Sequence, residues 1–317
     1  MTQITWQIIK YSNVLQPDGD NPMSRDSKVY SEREVVLKFL SRVSMLAIGG
    51  MHMHNNPMSI IREMIRRKAK IKTLLTSPSG SINADMLIGA NCVEEVILSY
   101  IGFEHYGLAP NFRKFAEQKL INIRECDEAR VVLGLRAGAS RVPFYPLPEG
   151  LERTDIWKAN NVDYQWLKDP FSGKDILVTK ALNPEVAIIH CQKADEFGNA
   201  QFLGSLFTDF EMAKAAEHVI VVTECIVPPT EISKNPRLPT IPAFMVDAVI
   251  EAPFGCHPTS SHAFYNYDDD HFKEYIQYAK TNFEEYLKKY VYSCSDHQQY
   301  IELIGVDKLD KLRFRWG

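Results

Sequence analysis

SMLAIGGMHMHNNPMSIIREMIRRKAKIKTLLTSPSG, residues 44–80, decides the fold of this 317-residue chain. Its first five residues, Ser44–Ile48, form an apolar run that stops at Gly49-Gly50, the pattern of a strand buried on both faces. Pro57 to Arg67 then spaces its apolar residues as an amphipathic helix does. It closes on Arg66, Arg67 and Lys68, cations that suit a helix C-terminus. Ile71–Thr76 is a second apolar run and feeds the loop Ser77-Pro-Ser-Gly80.

The same alternation continues in both directions. Ser31 followed by Glu34 reads as a capping box that opens a helix over Glu32–Leu40. Downstream, the pattern predicts a helix from Asp85, a strand over Glu95–Ile101 that ends at Gly102, and a helix over Asn111–Gln118. A strand over Ile121–Arg124 and a helix over Glu128–Ala139, N-capped by Asp127, come next. A hydrophilic insert with Trp and Pro occupies about 146–173. Strands over Val186–His190, Val219–Thr223 and Val246–Glu251, a helix over Asp209–Glu217 and long helices from His271 to Tyr290 complete the chain. Short apolar strands alternating with helices define an α/β protein with a mostly parallel sheet and helices on both faces. Residues 1–30, with the turn-rich run Gln16–Met23 and a second possible start at Met23, read as an N-terminal extension; 31–317 reads as a single domain.

With 45% hydrophobic residues and a formal charge of −4, the chain has a core to bury and no basic surface for nucleic acid or an anionic membrane. No apolar run approaches a membrane span and the first ten residues are too polar for a signal peptide, so a cytoplasmic location is expected. The six cysteines are scattered without a CxxC pair, which predicts reduced, mostly buried thiols.

In open α/β sheets, ligands bind to the loops that leave the C-terminal strand ends. Those loops are Gly49–Asn56, Ser77–Ser81 and Gly102–Gly107. They make Gly49, Gly50, Met51, His52, His54, Ser77, Gly102, Phe103 and His105 the candidate binding residues. The glycine pair lets a backbone approach closely and leaves amide N–H groups for an anionic oxygen; it is too short for a dinucleotide fingerprint. Met51-His-Met-His54 resembles a soft-metal site, but no carboxylate or cysteine cluster lies near it in sequence, so pocket lining is expected and no metal. Glu104, beside His105, is a candidate general acid or base if burial raises its pKa. Arg62, Arg66, Arg67, Lys68 and Lys70 read as a solvated helix face. His190 reads as a satisfied core histidine, His257 as a loop residue with packing duty, and the C-terminal tyrosines as packing.

An ordered series of segments resembles the A subunits of glutaconate-type CoA-transferases. Ala47-Ile-Gly-Gly50 is similar to the family's glycine pair after the first strand, and Asp85-Met-Leu-Ile-Gly89 to its next block. Pro184 to His190 with Ala194 to Asn199, Asp209 to Glu224, Val246 to Pro258, and Tyr265 to Asp268 follow in phase. The resemblance runs from about Lys28 to Arg313. It implies a NagB/RpiA/CoA-transferase-like fold, an acyl-CoA thioester and a carboxylic acid as substrates, and no permanently bound cofactor. It also implies a homologous β subunit, usually in an α2β2 assembly, that carries the covalent glutamate. A carboxylate suits that role because it splits the exchange into anhydride and thioester steps.

Glu128 adds a second possibility. Asp127-Glu128 with Leu133-Gly-Leu-Arg-Ala-Gly-Ala139 resembles the α chain of IpdA/IpdB-type hydrolases, which open a cyclic acyl-CoA ring and carry an essential glutamate at the matching position. The plain alternative is an acid in the first turn of a helix, held there by the macrodipole, which would depress its pKa. Further alternatives are a decarboxylase branch of the family, a ligand-sensing domain of the same fold and a non-catalytic assembly subunit.

Overall fold

The computed structural model describes residues 26–315. Most of the expected N-terminal extension, residues 1–25, therefore lies outside the described residues. Lys28–Tyr30 runs alongside the last strand of the sheet through a parallel bridge between Val29 and Val249.

A nine-stranded sheet organises the chain. Its strands are β1 (Arg42–Ile48), β2 (Lys70–Thr76), β3 (Val93–Leu98), β4 (Asn122–Glu125), β5 (Val186–Ala194), β6 (Ala200–Gln201), β7 (His218–Ile226), β8 (Thr240–Ile241) and β9 (Ala248–Glu251). Parallel pairings join β4, β3, β2, β1, β5, β7 and β9 in that order. The short β6 and β8 attach antiparallel at the far end of β5. From β1 the chain steps outward through β2 and β3 to β4, then returns to the other side of β1 as β5. The switch point of the sheet thus lies between β1 and β5, the position at which open α/β sheets generally bind ligands, at the C-terminal strand ends.

The strands are apolar on both faces because both faces are covered. Leu46, Ile48, Leu74, Val96, Ile188, Ile220 and Ile250 face one layer, with Ile61 and Met64 of the helix Met58–Arg66 and Phe272 and Tyr275 of the helix Asp269–Thr281. Their alternates Ala47, Leu75, Ile97, Ala187, Ile189, Val221 and Val249 face the other layer. There Val131 and Leu135 of the helix Glu128–Ala139 pack with Met212 of the helix Asp209–Ala215. This period-2 division over six strands, β4 at the edge being exposed, is the two-layer covering expected from the sequence.

Local signals worked where the backbone alone decides. Ser31 and Glu34 form the reciprocal capping box, and Asp127 accepts from the Arg130 amide at the start of its helix. Around the hydrophilic insert, strands Phe144–Pro146, Tyr164–Lys168 and Asp175–Lys180 build a three-stranded antiparallel sheet beside the main one. One expectation is corrected: the cations of the helix Met58–Arg66 are not all solvated. Arg62 is buried, stacks 3.6 Å above the Tyr300 ring and donates to the His257 carbonyl, while Glu63 holds Arg66 and Arg67. The helix is covered on what sequence periodicity read as its polar face, because the C-terminal helices fold back over it.

Candidate active site

β1 ends in Gly49-Gly50 at the switch point, and the chain turns at once. Met51 and His54 exchange main-chain hydrogen bonds at 3.0 Å, and the Asn56 amide donates to the His52 and His54 carbonyls, closing a tight Met51–His54 turn. Gly50 adopts φ +83°, and a Cβ there would lie 2.7 Å from the Asn55 carbonyl oxygen; a Cβ on Gly49 would collide with the Asp209 carboxylate. The glycines therefore make room for the turn and for Asp209. Their amides are not free as expected: Gly49 N–H donates to the Ile188 carbonyl at 2.8 Å, and Gly50 N–H faces Asp209 Oδ1 at 3.4 Å. Burial pushes the Asp209 carboxyl upward, against the pull of the Phe207 and Gly50 amides.

The turn presents imidazoles outward. His52 pairs with Glu104, which reaches over from the short helical turn Glu104–Tyr106 beyond β3; their side chains remain 29% and 43% exposed. The carboxylate missing in sequence from the Met51–His54 motif is thus supplied in space. Nδ1 of His54 lies 2.6 Å from Ser260 Oγ, and the His54 ring is 5.3 Å from that of His262. Burial, then the nearby His262 and His52, push the His54 imidazole below its ordinary pKa. Burial lowers His262 likewise, with His190 adding to the effect.

Beneath this rim lies a continuous polar layer. Nδ2 of Asn55 meets Nδ1 of His262 at 3.1 Å, and the Gln192 amide donates to Asn55 Oδ1 and to Ser261 Oγ. Ser261 Oγ is 3.3 Å from Nε2 of His190, which in turn lies 3.1 Å from Glu224. Tyr265 donates to the same Glu224 oxygen at 2.5 Å, and the Phe254 amide holds the other. His190 is a core histidine as expected, yet its Nδ1 is buried without a hydrogen bond among the described residues.

The structure brings Met51, His52, His54 and Glu104 together and sets other candidates apart. Phe103 is fully buried between Phe272 and Tyr275, so its ring serves the core and is not available to a ligand. His105 is exposed and packs on Tyr106. Ser77 is buried and bonded to Thr208, which ties β2 to the start of the helix Asp209–Ala215. Gly102 donates to the Gly80 carbonyl and has the Tyr100 ring against its Cα. Glu128 follows β4, three strands from β1 and so roughly 14 Å across the sheet. It is exposed and makes no hydrogen bond or ion pair among the described residues. Asn55, Gln192, Ser260 and His262 went unpredicted. Their signal was a polar residue inside an apolar strand, and a Thr-Ser-Ser-His loop following the last parallel strand.

Burial raises the thiols nearest this layer, Cys191 to about 12 and Cys256 well above the ordinary range, so neither is an activated nucleophile. A cavity of about 690 Å³ between Lys28, Tyr30, Phe197, Asn199 and Phe244 shares no residue with the rim, and its one lysine is spent on the Ala243 and Val246 carbonyls. Chemistry, rather than volume, selects the rim.

A mostly parallel sheet with a glycine turn and oriented imidazoles at its switch point defines the class: an α/β fold with a polar rim at its C-terminal strand ends. The chain belongs to the coenzyme A transferase family, whose match spans residues 34–252. It is 29% identical over 304 residues to the A-type subunit of the glutaconate CoA-transferase of Acidaminococcus fermentans, covering 90% of this chain and 95% of that one. The crystal structure of that transferase superposes with a TM-score of 0.85 at 27% identity, over 91% of this chain and 96% of the other. The cholesterol ring-cleaving hydrolase IpdA subunit of Rhodococcus jostii is 30% identical over 269 residues, 80% of this chain and 88% of the relative. An uncharacterized protein of Archaeoglobus fulgidus is 38% identical over 291 residues; the match takes in 90% of this chain but 64% of that protein's length. Among the described residues no helix is long and apolar enough to cross a membrane.

Proposed function

We propose that this chain is the α subunit of a heteromeric CoA-transferase acting on acyl-CoA thioesters of mono- or dicarboxylic acids. Its partner is a homologous β subunit, in an α2β2 assembly, that supplies the glutamate forming the covalent CoA thioester. The observation that supports this reading is the character of the rim. Neutral imidazoles and a carboxylate–imidazole pair, His52–Glu104, gather at the switch point, a surface suited to recognising acyl and carboxylate oxygens. Glu104 is read as the group of this chain that moves a proton there; its pairing with His52 supports that role, while its exposure does not supply the burial expected from the sequence. Gly49, Gly50 and Met51 shape the wall, and His54 lines it.

The test is co-expression with the β subunit, followed by assay of CoA transfer from a panel of acyl-CoAs, with and without acetate as acceptor. We expect acceptor-dependent transfer, lowered about 100-fold in kcat by Glu104→Gln, the scale of a lost general acid or base, and changed less than about threefold by Glu128→Ala. A second reading has its own observation: the exposed Glu128 carboxylate is left unpaired among the described residues at a helix start. Ring opening of a cyclic acyl-CoA without acceptor and without thiol release, abolished by Glu128→Ala, would establish that hydrolase chemistry in place of transfer.

A further inference from the structure

Two side-chain amides under the rim have no freedom to flip. The Leu203 N–H donates to Gln192 Oε1 at 2.9 Å, so the Gln192 NH2 must face the other way, toward Asn55 Oδ1 at 3.1 Å and Ser261 Oγ at 3.3 Å. Asn55 Oδ1 also receives the His262 main-chain N–H at 3.2 Å. A backbone N–H can only donate, so these two contacts fix the orientation of both amides. The Asn55 NH2 is then left pointing at Nδ1 of His262, 3.1 Å away. That contact needs a lone pair on Nδ1, and the proton of the neutral ring sits on Nε2. Gly204 packs against the ring on one side, so closely that a Cβ there would lie 2.5 Å from the His262 Cβ and 2.6 Å from Cγ, and the Asn55 contact holds the ring edge on which Nδ1 lies. Nε2 itself makes no hydrogen bond among the described residues, and the side chain is partly exposed.

We infer that His262 is a fixed, neutral hydrogen-bond donor that presents Nε2–H to an acceptor oxygen of the bound acyl group, with Asn55 and Gln192 as its positioning residues. The ligand half of this inference rests on the acyl-CoA reading; the tautomer rests on geometry alone. A neutral imidazole donor stabilises negative charge on a carbonyl oxygen without transferring its own proton, so it works across the pH range in which the ring stays uncharged. Protonation of Nδ1 would set two N–H groups against each other. The surrounding groups also oppose it: His54 on the facing turn and His190 on β5 are positive when charged, while Glu104 is engaged with His52. Burial acts in the same direction.

The tautomer is read directly from 15N–1H spectra of the full-length chain labelled with 15N-histidine, the His262 signal being assigned by its loss in His262→Gln. We expect an Nε2–H imidazole at pH 8 that is protonated only below the ordinary 6.5. An Nδ1–H ring, or an imidazolium at neutral pH, would overturn the inference. Asn55→Asp replaces the amide donor by an acceptor and should move the proton to Nδ1 and raise the titration point. Asp is admissible at this left-handed position, φ 54°. In the complex with the β subunit, glutamine keeps an N–H near Nε2 whereas asparagine keeps one near Nδ1. His262→Gln should hold kcat/KM within about tenfold, and His262→Asn should lose about 100-fold, the scale of one lost oxyanion donor. Equal losses in the two variants at unchanged melting temperature, or no loss in either, would remove the donor role. A wild-type complex inert toward every thioester would refute the acyl-CoA reading and the ligand half with it, while the spectrum still decides the tautomer.

Discussion

The molecule holds two groups of three histidines, and His257 and His297 of one differ from His54 and His262 of the other in how they use the second nitrogen. In the core, His297 accepts from Arg62 at Nδ1 and lies 2.8 Å from the Pro253 carbonyl at Nε2. His257 is likewise engaged at both nitrogens, with Tyr300 and with Asp268, and His271 meets Tyr286. At the rim, His262 has the same arrangement at Nδ1, a donor pressed against the lone pair, yet Nε2 has no partner among the described residues. His54 also commits Nδ1 alone. The Pro253 carbonyl completes one imidazole; a ligand oxygen is the natural counterpart for the other. Cluster composition therefore does not separate structure from function. Satisfaction at a reachable atom does, since a polar network closed on itself stabilises, whereas one left open at an oriented atom on a partly exposed ring recognises; the open Nδ1 of His190 is fully buried and reaches no ligand. His257, Asp268 and His271 come close enough together to suggest a metal site, but with both His257 nitrogens occupied the cluster is already complete.

The sharpest way to break this comparison is to open the closed network. Arg62→Ala removes the donor to His257 and His297 and the cation over Tyr300, leaving buried acceptors bare. The expected cost is about 3–5 kcal/mol, read from urea unfolding, with little change in kcat per folded molecule. A stable variant without activity would place Arg62 in the site and erase the distinction.

Acid should act on the same region next. Burial pushes His257 and His271 below their ordinary pKa, and burial with the Arg62 charge takes His297 to about 3. Their folded pKa values are depressed, so below about pH 6.5 the unfolded chain binds protons that the native state refuses. Each such histidine then removes roughly 1.4 kcal/mol of stability per pH unit. Above that pH they contribute no slope, and for His297 the loss continues down to about pH 3. His54 and His262 add in the same sense, so His297→Gln isolates the core. It should flatten the stability–pH slope between pH 6 and 4 by about one proton. An unchanged slope would mean that His297 is already protonated in the fold.

Legibility followed the range of the interaction. The strand–helix alternation, the Ser31 capping box and the Asp127 cap are decided within a few residues, and sequence alone displayed them. The rim was half visible: the Met51–His54 turn and Glu104 lie on loops that a parallel sheet must place at its C-terminal edge. Their pairing, and the arrival of Ser260 and His262 from the loop after β9, depend on β1 and β5 being neighbours, which no local pattern encodes. Arg62 was misread for the same reason. Its helix is amphipathic by periodicity, but the helices that bury its cation begin some 200 residues later. Phe103 looked like a pocket residue from its loop, and only packing against Phe272 and Tyr275 turns it inward.

The smallest effect should come from the one rim contact that is neither buried network nor free atom. Ser260 Oγ lies 2.6 Å from Nδ1 of His54 on a partly exposed ring, while the Ser260 main chain bonds Met53 and Asn55 and stays in place whatever its side chain. Ser260→Ala should therefore leave folding within about 0.5 kcal/mol, since water can replace the hydroxyl at an accessible imidazole. It frees the His54 tautomer, however. If His54 is held for a ligand as His262 is, kcat/KM should fall about three- to tenfold, mostly through KM, the equivalent of one neutral hydrogen bond. A fall as large as that of His262→Asn would make His54 the principal donor, and no fall would leave His262 alone in that role. The contrast between a ring held by a side-chain amide of fixed direction and one held by a rotating hydroxyl is thus measurable as a ratio of two rate losses.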